Sequence, residues 1–501
     1  MAVLQAANNP AEQRRFHDGG MDADSAASNP IDQDASVQPG SMDAGRLDAG
    51  TGAAAPANPN LRSGDLARLY ESNRDRIDLD HDGFLSSEEL DTAILNPAFR
   101  GEDAQLVAFL RSAREPMMKM HDDGLLSEHR GISAADIAEY DARQERGRRE
   151  IPRVTRMHEY GTANFNRLDI DNNGYVSNSE LDDALRNPTL SAEHRAALRD
   201  LRQRSASIAS AEDDEWGREN SGFSRQDLDA YYSHYMSSPD ARAVTVADEM
   251  LHQSGERLSH SNRDAFANRA NPLESIRPEA VRQGSEGDCT LQADLASLAH
   301  SNPQAIRDMI HDNGNGTYTV TFPGDPAHPV TVDAPTDSEL AAYGGAGEYG
   351  SWPAIIERAY GVHERNWGSR VPGEIASHSG DTPDDTRRTM ELLTGRPAQD
   401  RELSSMSDAE LQSVLAASNG RPVTALLNGD TRHSHHPATG LQAGHAYSVV
   451  GYDPATRQVT LRNPWGSGEV GGPGHPRDGH DDGQFTMSYE EFRRTFSRMS
   501  Y

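Results

Sequence analysis

Thiols are almost absent from this 501-residue chain, in which Cys289 is the one cysteine. An internal disulfide framework is therefore excluded, and the thiol is either a small buried apolar group or a reactive one. Lysine is equally scarce, Lys119 being the only one, and 48 basic residues stand against 79 acidic ones for a formal charge of −31. That balance argues against a nucleic-acid or other phosphate-binding partner and suits a chain that collects cations. Long apolar runs are missing too. Nowhere do eighteen apolar residues follow one another, so no membrane-spanning helix is expected, and the opening MAVLQAANNPAEQRRFHDGG lacks the apolar core of a secretory signal. The expectation is a soluble chain, cytoplasmic or exported by a non-Sec route.

Only 35% of the residues are hydrophobic and 43 are glycine, so part of the chain is not packed. Residues 1–62 supply that part: Ala, Gly, Ser, Asp, Asn and Pro with scattered charge and no periodicity cannot bury enough apolar area to offset the entropy of ordering. The stretch is read as a disordered low-complexity tail.

Residues 63–236 are acidic, helical in pattern and duplicated. The run Asp78, Asp80, Asp82, Gly83, Phe84, Leu85, Ser86, Glu89 recurs 91 residues later as Asp169, Asp171, Asn173, Gly174, Tyr175, Val176, Ser177, Glu180. The same offset carries Asn96-Pro97 onto Asn187-Pro188, Asp122-Asp123 onto Asp213-Asp214, Gly131 onto Gly222 and Tyr140 onto Tyr231, the mark of a tandem duplication. Both runs match the EF-hand calcium loop: side-chain oxygens at positions 1, 3 and 5, glycine at 6, a backbone carbonyl at 7 (Phe84, Tyr175), serine at 9 (Ser86, Ser177) and glutamate at 12 (Glu89, Glu180). Calcium takes six to eight oxygens at about 2.3–2.6 Å, which is why alternate oxygen residues are closed by a carboxylate that can offer both atoms.

Each repeat ends in a second, degenerate hand. Its exit survives as Gly131-Ile132-Ser133 to Asp136 and as Gly222-Phe223-Ser224 to Asp227. Its entrance is lost: with Ile132 at position 8, Leu125 and His129 fall at positions 1 and 5, and with Phe223 there, Trp216 falls at position 1. These loops are expected to bind no calcium, and Ile132 and Phe223 are expected to pair with Leu85 and Val176 across a short β-link. The module resembles calmodulin-like EF-hand modules, which implies an all-α domain with Ca2+ as its cofactor. Residues 237–269 read as a linker with some helix.

The remainder, 270–501, carries chemistry. Leu291, Leu295 and Leu298 form an i, i+4, i+7 stripe, so a helix starts at Cys289 with Asp288 as its expected cap. A thiol at a helix N-terminus meets the positive end of the dipole, which favours thiolate. A turn through Gly284 and Gly287 can return the Gln283 amide to the cysteine as an oxyanion donor. A base and its orienter lie on one expected hairpin: strands around His445–Val450 and Val459–Asn463 flank Asp453-Pro454-Ala455, and a register centred on Pro454 puts His445 directly opposite Asn463. The histidines His433, His435 and His436 are read as a loop rather than a metal site, Trp352 as core, and Tyr318, Val320, Phe322, Val330 and Val332 as period-2 strands.

Five segments, in order, carry a family resemblance: Gln283-Gly284-Ser285-Glu286-Gly287-Asp288-Cys289; Trp352-Pro353-Ala354; Gly444-His445-Ala446-Tyr447-Ser448-Val449; Arg462-Asn463-Pro464-Trp465-Gly466; and Asp481-Asp482-Gly483-Gln484-Phe485. They resemble the signature segments of the calpain-type cysteine protease core. The resemblance implies a papain-like fold in two subdomains, so that the fold class is α+β, an all-α EF-hand domain followed by that core. It also implies hydrolysis of protein or peptide substrates by Cys289, His445 and Asn463, with Gln283 serving the oxyanion and Trp465 shielding the His445–Asn463 hydrogen bond. Thr290 stands where the family usually has tryptophan, Gln484 where an acid often sits, and the hands precede the protease rather than follow it. The competing readings are a calcium sensor or scaffold with a pseudoprotease half, and an acyltransferase or transglutaminase, whose usual third residue is Asp rather than Asn463.

Overall fold

The computed structural model describes residues 57–120, 131–212, 222–345, 347–366, 383–428, 436, 438–468 and 482–501. The architecture mixes helix and strand, and the chain divides into two compact units: Asn58–Ala93 with Phe109–Gly255, and Ile94–Ala108 with Glu256–Tyr501. The second unit thus takes in a stretch lying inside the duplicated region. The tail is outside the described residues up to 56.

In chain order the duplicated region comprises helix α1 (Leu66–Ile77), strand β1 (Phe84–Leu85), helices α2 (Ser87–Ile94), α3 (Glu102–Ser112) and α4 (Arg114–Met117), strand β2 (Ile132–Ser133), and helices α5 (Ala134–Leu168), α6 (Asn178–Leu185), α7 (Ala192–Ala209) and α8 (Arg225–Met236). Helix α5 is a single 35-residue element joining the repeats, with Pro152 in its interior, and it ends at Asp169 just as α1 ends at Asp78, so the first residue of each intact loop is a helix C-cap. Local signals set the starts. Ser133, Ser177 and Ser224 each accept a hydrogen bond from the backbone of the acid three residues on, and that acid reaches back, a reciprocal cap.

Leu85 pairs with Ile132, and Val176 with Phe223, as the sequence pattern leads one to expect. The glycine before each partner is obligatory. Gly131 (φ 146) and Gly222 (φ 121) bring their Cα atoms so near the facing strand that a Cβ would sit 2.1 Å from the Leu85 carbonyl oxygen and 2.2 Å from that of Val176. Val154, Phe165, Val176, Leu201, Phe223 and Leu228 share the core of the second repeat. Residues 239–260, within the expected linker, form one helix, α9 (Pro239–His260).

Among the described residues of 256–501 there are two large hydrophobic cores and a small cluster of Cys289, Ala293 and Ala446. One large core gathers Leu291, Leu295 and Leu298 from helix α10 (Cys289–Ser301) with Ile306 and Met309 from helix α11 (Pro303–Met309) and Trp352, Ile355 and Ile356 from helix α13 (Trp352–Asn366); helix α12 (Asp337–Ala342) lies between α11 and α13 in the chain. A three-stranded sheet of β3 (Ile310–Asp312), β4 (Thr317–Val320) and β5 (Val330–Asp333) closes this side, as the alternation at Tyr318–Val332 anticipates. Each leucine of the stripe contributes about 1.5–3 kcal/mol on burial.

The other core lies on a six-stranded antiparallel sheet, order β10-β9-β8-β7-β11-β6, made of β6 (Asp400–Glu402), β7 (Thr424–Leu427), β8 (His445–Asp453), β9 (Gln458–Arg462), β10 (Gln484–Ser488) and β11 (Arg498–Ser500). Helices α14 (Pro383–Thr394), α15 (Asp408–Ala416) and α16 (Tyr489–Thr495) complete the chain. Helix α10 is fastened to this sheet by polar pins: Ser448 Oγ donates to the Ala293 carbonyl (2.7 Å), and Ser297 Oγ donates to the Val423 carbonyl (2.9 Å) while accepting from the Val423 N–H (2.8 Å).

Candidate active site

Cys289 opens α10, as the leucine stripe requires, and packs with Ala293 and with Ala446, the neighbour of His445. The cap differs from expectation. Asp288 occupies the N-cap position, yet its backbone (φ −105, ψ 31) is not extended and its side chain makes no capping bond. The carboxyl is instead fully buried and accepts from the Gln292 side chain one turn further on (2.7 Å). A capping carboxylate must point along the helix axis toward the N2 and N3 amides, and a partner on the side of the first turn pulls Asp288 away from that direction. Gln283 is buried; its amide donates to the Glu286 carbonyl (2.8 Å), and its backbone N–H donates to the Pro464 carbonyl (2.8 Å), which ties the turn before Cys289 to the segment after Asn463.

The hairpin also departs from the expected register. Strand β8 pairs with β9 as Ser448↔Arg462 and Val449↔Leu461, then, past a bulge at Val450, as Gly451↔Thr460 to Asp453↔Gln458. The reversal falls on residues 454–457, one step later than a turn centred on Pro454, because Asp453 binds the Ala455 N–H (2.9 Å) and the Thr456 hydroxyl (2.7 Å) and Arg457 takes the left-handed conformation (φ 55). Carried forward, this register sets Asn463 beside Tyr447 instead of His445. The two rings share a face because strand side chains alternate, so the imidazole reaches diagonally. His445 Nε2 lies 2.9 Å from Asn463 Oδ1, both residues being buried.

Asn463 Oδ1 also accepts the Trp465 backbone N–H (3.0 Å), and the Trp465 ring lies 4.5 Å from the imidazole at 41°. On another side Tyr447 meets the imidazole edge-on at 5.0 Å, its hydroxyl accepting from the Gln442 N–H (3.0 Å). His445 Nδ1 is buried with no hydrogen-bond partner. Burial pulls the imidazole down to about 4, against a smaller upward pull from Asn463, so His445 rests neutral. Behind Asn463, Arg462 is buried without a carboxylate partner among the described residues and donates to the Asn463 carbonyl (3.4 Å) and the Glu279 carbonyl (3.5 Å); burial lowers its guanidinium to about 10.

In the intact loops, oxygens of Asp78, Asp80 and Asp82 converge within 4.8 Å of one another, as do those of Asp169, Asp171 and Glu180. Asp78 Oδ2 accepts from the Gly83 N–H (3.2 Å) and Asp169 Oδ2 from the Gly174 N–H (3.0 Å), while Asp82 and Asn173 turn back to the N–H of Phe84 (2.8 Å) and Tyr175 (2.7 Å). Ser86 and Ser177 hydroxyls donate to Glu89 (2.8 Å) and Glu180 (2.7 Å). Burial pushes the Glu180 carboxyl up, but bonds from Ser177, Ile170 and Asp171 outweigh it and leave it below the ordinary carboxylate range. Asp78 Oδ1 is buried with no hydrogen-bond partner, an acceptor a hard cation can satisfy.

The structure therefore brings His445, Asn463 and Trp465 into contact and places Cys289 against the strand that bears His445. Asp122, Asp123, Leu125, His129, Asp213, Asp214, Trp216, His433, His435 and Asp481 lie outside the described residues. His436 bonds Thr439 Oγ1 (3.0 Å), and Trp352 is buried with its indole N–H on the Ser275 carbonyl (3.0 Å). Sequence reasoning missed three participants. Tyr447 is two residues from His445 on one strand face. Gln292 and Glu357 are polar interruptions of apolar helices whose partners only the packed structure reveals.

Residues 263–478 match the model of the calpain family cysteine proteases. Among similar proteins, rat (Rattus norvegicus) calpain-9 is 26% identical over 255 residues, 44% of this chain and 35% of the relative. The human (Homo sapiens) calpain-2 catalytic subunit is 27% identical over 255 residues, with the same two shares, 44% and 35%. The pig (Sus scrofa) calpain-1 catalytic subunit is 28% identical over 257 residues, covering 44% of this chain and 34% of the relative. The chain spans about a third of the length of these curated relatives. At family level the match supports a cysteine protease, a hydrolase. Among the described residues no helix is long and apolar enough to cross a membrane.

Proposed function

We propose that the chain is a calcium-binding, calcium-regulated cysteine endopeptidase that cleaves peptide bonds through Cys289, His445 and Asn463 in a papain-like core. The observation that carries the reading is the buried 2.9 Å contact of His445 Nε2 with Asn463 Oδ1, beneath Trp465 and beside the helix that begins at the only cysteine. His445 takes the thiol proton at Nδ1 as the Cys289 sulfur attacks the carbonyl carbon, and it passes that proton to the departing amine. Water then cleaves the thioester, His445 removing its proton and returning it to the sulfur. Gln283 supplies an amide donor to the oxyanion. Asn463 fixes the ring orientation, and Trp465 keeps water from their bond.

Calcium would be held by Asp78, Asp80, Asp82, the Phe84 carbonyl, Ser86 and Glu89, and by Asp169, Asp171, Asn173, the Tyr175 carbonyl, Ser177 and Glu180, where it would neutralise converging oxygens and stiffen the loops. The test is cleavage of casein by the purified chain with calcium or with chelator, beside Cys289→Ala. Expected is calcium-dependent cleavage that Cys289→Ala lowers by at least about 10³-fold. Cleavage indifferent to chelation removes the regulatory part of the reading, and cleavage that survives in Cys289→Ala removes the mechanism.

A further inference from the structure

Helices that begin at Ser133, Ser177, Ser224, Thr336 and Ser407 all carry a reciprocal side-chain cap, whereas the helix that begins at Cys289 carries none. Its N-cap residue is an aspartate, a side chain well suited to the task. What diverts it is Gln292, whose Nε2 donates both to Asp288 Oδ2 (2.7 Å) and to Glu357 Oε2 of α13 (2.9 Å). Glu357 Oε2 further accepts the Gly344 N–H (2.6 Å). All three side chains are fully buried. The amide has no lateral freedom, since a Cβ on Gly344 would meet its atoms at 2.6–2.8 Å.

Among the described residues no cation is paired directly with the acids in this knot. Burial raises Asp288 to about 7, with Glu286 adding to the effect, and raises Glu357 well above the ordinary range, with Asp288 next in importance; among the described cations only Arg257 acts on Glu357, and its guanidinium is hydrogen-bonded to the Ala341 carbonyl. Asp288 Oδ1, Gln292 Oε1 and Glu357 Oε1 take no hydrogen bond. At neutral pH the pair therefore retains a proton, and the negative charge next to Cys289 is reduced as well as displaced.

We propose that Gln292 is a positioning residue that draws the Asp288 carboxyl off the N-terminus of α10 and toward Glu357, reserving the positive end of that helix for the Cys289 sulfur and the acyl oxygen of the substrate. An aspartate capping the helix one residue before the nucleophile would satisfy the same amides and set a negative charge against thiolate and oxyanion alike. The inference rests on the reading of Cys289 as nucleophile, but its test does not require turnover.

Because Cys289 is the chain's single thiol, the pH dependence of its alkylation by iodoacetamide reports on it alone. Gln292→Leu is expected to move that profile upward by about one pH unit, tenfold less thiolate at a given pH below the midpoint. Adding Asp288→Asn, which removes the competing charge, is expected to restore the original position. A profile unmoved in folded Gln292→Leu, or a shift that Asp288→Asn does not reverse, overturns the proposal. Gln292→Met keeps the bulk and lacks the donors, and serves if the leucine variant does not fold. A shift that reverses in a chain that never cleaves casein upholds the positioning and sinks the protease reading; cleavage with an unmoved profile does the opposite.

Discussion

Glu89 and Glu180, at the ends of the two EF-hand-like loops, and Asp288, Asp294 and Glu357, around the helix that starts at Cys289, are the same chemical groups in different surroundings. Glu89 is nearly buried but receives hydrogen bonds from Leu79 N–H (2.7 Å), Ser86 N–H (2.9 Å) and Ser86 Oγ (2.8 Å). Asp294 is fully buried, and burial, against a smaller downward pull from the Thr424 hydroxyl and with the nearby Asp400 charge in support, drives it well above the ordinary range. Donors outweigh burial at Glu180, whereas complete burial outweighs the two donors to Glu357, so depth and donors together set the state of a carboxyl. Glu180 is held below the ordinary carboxylate range, and Asp288, Asp294 and Glu357 are raised above it.

The comparison can be broken experimentally. The largest effect is expected in the loops: Glu89→Gln with Glu180→Gln removes the closing carboxylate of both, and calcium affinity by isothermal titration should fall at least about tenfold at each site. A chain whose wild-type form takes up no calcium would show that converging carboxylates are insufficient here. Next comes Asp294→Asn. A carboxyl raised in the folded state contributes stability in acid, below the ordinary value near about 4, and loses it as pH rises through its folded value. The variant should therefore be more stable than wild type at pH 8, by on the order of 1–3 kcal/mol in denaturant unfolding, with the difference vanishing in acid. Equal stability at pH 8 would mean that the ionised group finds compensation. The smallest effect belongs to exposed acids: Asp183, paired with Arg186 at the surface, should change stability by less than about 0.5 kcal/mol as Asp183→Asn.

Much of the candidate site was legible in the chain. The Leu291–Leu295–Leu298 stripe placed a helix start at Cys289, and alternation at His445–Val450 and Val459–Asn463 placed His445 on one strand and Asn463 at the end of its neighbour. The register was less legible, because Arg457 and the Asx bonds of Asp453 set the turn, and these cost a shift that no apolar alternation reports. Paired exits at Ile132 and Phe223 were legible because duplication repeated them.

By itself, the sequence determined the periodicities, the duplicated ligand pattern and the isolation of one thiol, all of which are local in the chain or repeated along it. Tertiary structure alone decided that Asp288 would not cap its helix, that His445 would meet Asn463 diagonally, and that Gln292 would join Asp288 to Glu357. Those outcomes depend on which distant groups share a dry volume, where a single amide donor outweighs the propensity of a residue for its own helix end.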